Sequence, residues 1–136
     1  MIDLSAAGHL GQELEMMLGG RKPMALFYDD ADQPADPVIV PEAAFAPYVQ
    51  EGRFVKDELV LELADPQLGE PARIRYVVYA VRGEEWRVPA ALLALRTRLQ
   101  VNALADEGLE RLLCALLGYS DEETAACMDA QVLERC

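Results

Sequence analysis

Between Arg73 and Val81 the chain alternates. Ile74, Tyr76, Val78 and Ala80 fall on one side of an extended segment, and Arg73, Arg75, Val77, Tyr79 and Val81 on the other. A two-residue period sustained over about nine positions predicts a β-strand. One side is apolar. The other begins charged and becomes apolar, so a helix or a partner subunit is expected over its far half. Leu59, Leu61 and Leu63 alternate with Val60 and Glu62 and predict a neighbouring strand. Asp65-Pro66-Gln67-Leu68-Gly69-Glu70-Pro71 supplies the connection. Met24-Ala25-Leu26-Phe27-Tyr28 is apolar on both faces and predicts a strand covered on each side. Shorter strands are expected at Val38–Val40, where Pro41 stops an edge, and at Glu85–Val88, after a turn at Gly83-Glu84.

Helical spacing accounts for most of the remainder. Residues 5–18 carry Leu10, Leu14, Met17 and Leu18 near one face, and Gly19-Gly20 ends them. Glu42–Gln50 predicts a short helix bearing Phe45 and Tyr48, with Pro47 as a constraint on its interior. Pro89 suits the first turn of a helix whose stripe is Leu92, Leu95 and Leu99. Asp106 is the expected cap of a helix lined by Leu109, Leu112, Leu113 and Leu116, and Gly118 terminates it. Ser120 followed by Glu123 has capping-box spacing and predicts a last helix to about Leu133, with Ala125, Met128 and Val132 inward. The expectation is an α+β fold. A small antiparallel sheet of three to four strands packs against an N-terminal helix and a C-terminal three-helix group, in one domain over residues 1–136. Local pattern does not fix the strand order.

Composition narrows the class. The chain has 136 residues and is 52% hydrophobic. A domain of that size buries roughly two-thirds of its extended-chain surface, enough for a core without metal or disulfide staples. No apolar run approaches the roughly 20 residues of a membrane-spanning helix. Met1-Ile2-Asp3-Leu4 begins no secretory pattern, so a cytoplasmic location is expected. Cys114, Cys127 and Cys136 are odd in number and read as free thiols in a reducing compartment.

The formal net charge is −12, with 24 acidic and 12 basic side chains. Residues 1–50 and 101–136 each hold eight acids and two bases, whereas residues 51–100 hold eight of each. Acidic ends therefore flank a neutral, arginine-containing band. A field of this sign repels nucleic-acid phosphate and anionic membranes, and it favours a basic protein partner.

The chemical inventory is poor. His9 is the only histidine, and nothing in the sequence sets a nucleophile beside it. Ser5 and Ser120 read as turn or capping residues. Close cysteine pairs for zinc are absent, as are a dinucleotide fingerprint and a Walker lysine, so no cofactor or metal is implied. Asp29, Asp30, Asp32 and Asp36 lie in a Pro-containing loop that lacks EF-hand spacing. They read as a solvated loop, a partner contact or a metal or catalytic site. Arg73, Arg75, Arg82, Arg87, Arg96 and Arg98 form the only basic concentration.

These features favour a small protein-interaction module, such as a chaperone, adaptor, toxin-neutralising protein or assembly subunit. Its partner is a protein or a second copy, and its candidate partner-binding residues are Trp86, Tyr79, Arg75 and Arg87. Trp, Tyr and Arg often concentrate binding energy when exposed. The alternative is a small-ligand or metal-dependent enzyme built on the Asp29–Asp36 loop. A third reading is nucleic-acid mimicry, which needs an extended carboxylate stripe.

Overall fold

The computed structural model describes residues 11–63, 71–100 and 107–135. Ser5, His9 and the rest of residues 5–10, the connection over residues 64–70, Asp106 and Cys136 lie outside them; of the helix expected over 5–18, the described part begins at Glu13, after a turn at Gly11 with φ +81°. The elements run α1 (Glu13–Leu18), β1 (Met24–Asp30), α2 (Glu42–Gln50), β2 (Phe54–Leu63), β3 (Ala72–Val81), α3 (Arg87–Gln100), α4 (Glu107–Leu116) and α5 (Asp121–Arg135). The fold is α+β. A three-stranded antiparallel sheet joins an N-terminal helix to a C-terminal helical cluster. Among the described residues, no helix is long and apolar enough to cross a membrane.

The alternating segment, β3, takes the centre of the sheet in the order β1-β3-β2. Its position explains its two sides. Tyr76, Val78 and Ala80 join Met24, Leu26 and Leu59 in a core completed by Val88, Ala91, Leu95, Leu113, Cys114, Leu117 and Cys127 of the C-terminal helices. Val77 and Tyr79 join Ala25 and Phe27 in a second core with Met17, Val40, Phe45 and Phe54. The far half of the mixed face is thus covered by α1 and α2, and β1 is buried on both sides from Met24 to Phe27, whereas Tyr28, expected to be covered, is exposed.

Several expectations change. Val38–Val40 is not a strand. Val38 N–H donates to Asp36 Oδ1 at 2.8 Å, and Ile39 and Val40 N–H donate to the Asp36 carbonyl at 3.1 and 3.0 Å. A local turn therefore takes the donors that a ladder would need. Glu85–Val88 is not a strand either. Arg87 and Val88 N–H donate to Glu84 and Glu85 carbonyls at 3.1 Å each, and α3 has begun at Arg87, with Pro89 in its first turn.

Helix rotation also departs from the leucine pattern. Leu112 is exposed, while Glu110, Leu113, Cys114 and Leu117 face inward. Among the described side chains of α5, Thr124 and Cys127 face inward with Met128 beside them and Ala125 is exposed, while Val132 lies outside those described. The α5 capping box forms as predicted. Ser120 N–H donates to Glu123 Oε1 at 2.9 Å, and Glu123 N–H donates to Ser120 Oγ at 3.1 Å.

Candidate functional site

Trp86 sits in the connection from β3 to α3. Gly83 adopts φ +97°, which lets the chain reverse, and its N–H donates to Glu85 Oε2 at 2.9 Å. The indole is 58% exposed. It is nevertheless held: Nε1–H donates to Glu84 Oε2 at 3.1 Å, and the Arg87 guanidinium lies 4.7 Å from the ring centroid. Arg87 Nε donates to the same Glu84 oxygen at 2.8 Å. Arg87 Nη1 donates onward to the Leu116 and Ala115 carbonyls at 3.1 and 3.3 Å, at the end of α4. The hydrogen bond from Arg87 holds the Glu84 carboxyl below the usual range. A cation at a helix C-terminus also suits the helix dipole. The network holds the exposed indole between Glu84 and Arg87.

Arg75 and Tyr79 lie elsewhere, on the α1/α2 side of the sheet. Tyr79 is only 1% exposed and stacks on Phe45 at 4.2 Å between centroids. Burial raises its phenol pKa. Tyr79 is therefore a core residue with no surface to offer, which corrects its place among the partner-binding candidates. Arg75 clamps Asp29 in a bidentate pair, with Nε donating to Oδ1 at 3.0 Å and Nη2 to Oδ2 at 2.8 Å. Its Nη1 donates to Glu42 Oε1 at 2.8 Å. The hydrogen bond from Arg75 lowers the Asp29 carboxyl pKa, and Asp29 raises that of Arg75. Lys56 extends the network to Glu42 and Glu58 at 3.4 and 3.1 Å. Arg75 thus ties β1, β3 and α2 together, and only Trp86 and Arg87 of the four candidates are adjacent.

The loop aspartates diverge. Asp29 faces Arg75. Asp30 Oδ1 accepts from Asp32 N–H at 2.9 Å, Asp32 Oδ1 meets Arg73 Nη1 at 2.9 Å, and Asp36 Oδ1 accepts from Val38 N–H. Each carboxylate has a local partner. Among the described residues, no group of three or more His, Cys, Asp or Glu is arranged to hold a metal ion.

Lys22 is the functional group that pattern reading missed. It precedes Pro23 in the connection from α1 to β1, yet it is only 3% exposed. Its Nζ donates to the Leu117 carbonyl at 2.7 Å and lies 4.6 Å from the Tyr119 ring centroid. No local signal predicts a contact across 95 positions. Burial lowers its pKa from 10.5 to about 8, against the pull of Glu13 and Glu123. Burial pushes the neighbouring Cys114 thiol up to about 12, so it is not a thiolate at neutral pH.

The pH dependence of Lys22 has a definite sign. Below pH 8 the folded state buries a cation that the unfolded chain hydrates, and that penalty is fully present. Between pH 8 and 10.5 the folded protein binds fewer protons than the unfolded chain, so this group's contribution to stability rises with pH. Relative to Lys22→Met, the wild type is expected to gain about 1 kcal/mol between about pH 7 and about pH 9. Urea unfolding at both pH values measures it. A difference that stays constant with pH would show that Lys22 does not titrate there.

Comparisons with protein-family models, curated proteins and solved structures gave no match.

Proposed function

We propose that this chain is a small protein-interaction module, of the chaperone, adaptor, toxin-neutralising or assembly-subunit kind, and that Trp86 anchors its partner. The supporting observation is an indole that is 58% exposed yet held by Glu84 and Arg87. A side chain already fixed in the free protein loses little rotamer freedom on binding. Tryptophan and arginine are also the residues whose removal most often weakens an interface. The net charge of −12 favours a basic partner through long-range attraction. A reducing, cytoplasmic setting suits the buried free thiols Cys114 and Cys127. In this reading the chain acts by binding rather than by turnover.

The test is paired affinity capture from a lysate of the source organism, under reducing conditions and at moderate salt. Wild-type bait is expected to retain one near-stoichiometric protein. Trp86→Ala is expected to retain about tenfold less of it, with an unchanged melting temperature. Equal retention by the variant would remove Trp86 as the anchor. A bait that recovers nothing would remove the interaction reading.

A further inference from the structure

We infer that the outer edge of β2 pairs with the same edge of a second copy, as antiparallel strands about a two-fold axis at Leu59. This surface is separate from Trp86 and adds a self-association to the proposed module.

Among the described residues, the order β1-β3-β2 leaves β2 at an edge, and it runs over Phe54–Leu63. Arg82 N–H donates to the Arg53 carbonyl at 2.8 Å, which makes Arg53 and Arg82 a hydrogen-bonded pair. The antiparallel register Phe54↔Val81 carries that alternation along the strand. Val55, Asp57, Leu59, Leu61 and Leu63 therefore turn their main-chain groups toward β3. Phe54, Lys56, Glu58, Val60 and Glu62 turn theirs outward. Val55 and Val60 are exposed on this strand. The Glu58 N–H donates to Asp57 Oδ1 at 2.8 Å. Pairing would exchange that bond for a carbonyl of the second copy.

A second copy must place outward residues opposite outward residues. Four two-fold registers then pair more than half of the strand, with axes at Asp57, Glu58, Leu59 or Val60. The first sets Asp57 against itself. The second sets Glu58 against itself. The fourth sets Glu58 against Glu62. Like charges directly opposite each other destabilise a strand pair. Only the axis at Leu59 avoids this. It places Lys56 opposite Glu62 twice, Glu58 opposite Val60, Asp57 opposite Leu61 and Val55 opposite Leu63. Edge lysines ordinarily repel added strands. Here the complementary Glu62 lies on the same strand at the spacing that a second copy needs. Lys56 already stands beside Glu58 and Glu42 on this side of the sheet.

Sedimentation velocity over about 5–500 µM protein tests the pairing, in about 0.15 M salt so that the acidic surfaces are screened. The wild type is expected to show a reversible monomer–dimer equilibrium. Lys56→Glu and Glu62→Lys should each weaken it by about tenfold. The double variant Lys56→Glu/Glu62→Lys should restore it, because the ion pair is re-formed with its sign reversed. Val60→Pro deletes an outward N–H and spares the β3 ladder, so it should give a folded monomer with a normal thermal transition. Three results would overturn the proposal: a wild type that is monomeric throughout, a double variant as weak as the single ones, or a Val60→Pro protein that dimerises normally.

Discussion

Leu113→Asp is expected to abolish the folded state at neutral pH. Leu113 is 1% exposed and lies where α4 meets the sheet core. Aspartate there forfeits about 2–3 kcal/mol of apolar burial. An ionised carboxylate without a partner adds several kcal/mol more, or takes up a proton at comparable cost. Domains of this size have only about 5–15 kcal/mol in total. Urea titration followed by far-UV circular dichroism reads the loss directly. Leu113→Ala gives the graded comparison, at about 3 kcal/mol for a cavity without a charge. A near-normal midpoint for the aspartate variant would show that this side chain is not in the core.

Gly118→Ala is expected to cost about 2–4 kcal/mol, which is unusually large for one methyl group at a helix end. Gly118 ends α4 with φ +83°. Gly118 N–H donates to the Ala115 carbonyl at 3.1 Å, and Tyr119 N–H to the Cys114 carbonyl at 3.0 Å, the bonding of a Schellman cap. A Cβ there would lie 2.4 Å from Pro23 Cδ, so the Lys22-Pro23 segment would have to move. Gly52→Ala is the control. Gly52 has φ +77° with nothing within 4 Å of an added Cβ, so it carries only the backbone cost of about 1 kcal/mol. The difference in urea midpoints between the two variants isolates the Pro23 contact. Equal midpoints would mean that Pro23 yields freely.

Much of this fold was legible because its signals are local. The period of β3 located both cores, and the charged start of its mixed face marked the position of Arg75 opposite Asp29. The Ser120–Glu123 pair located the start of α5. What escaped was set by tertiary packing. The leucines of α4 span more of the helix than one buried face can accept. The rotation follows Cys114 and Leu117, which leaves Leu112 in water. Trp86 was a candidate from its residue type alone, but its hold depends on Arg87 reaching α4. Tyr79 looked like a possible surface aromatic because a strand pattern does not show which helix will cover it. Phe45 does so from α2. Lys22 was illegible, since its burial depends on Leu117 arriving from the far end of the chain.

The strand order has a consequence for synthesis on the ribosome. β1 is made before the other strands, but among the described residues its only sheet neighbour is β3, and Met24 waits for Ala80. A nascent chain therefore carries a strand that is apolar on both faces while α2 and β2 emerge. The β2–β3 hairpin closes over the shorter loop, and long-range closure is the slower event. β1 joins it from the other side. Even then, the seat for Lys22 is incomplete until Leu117 has left the exit tunnel. One of the earlier residues of the described chain thus finds its hydrogen-bond acceptor only after 95 more have been made.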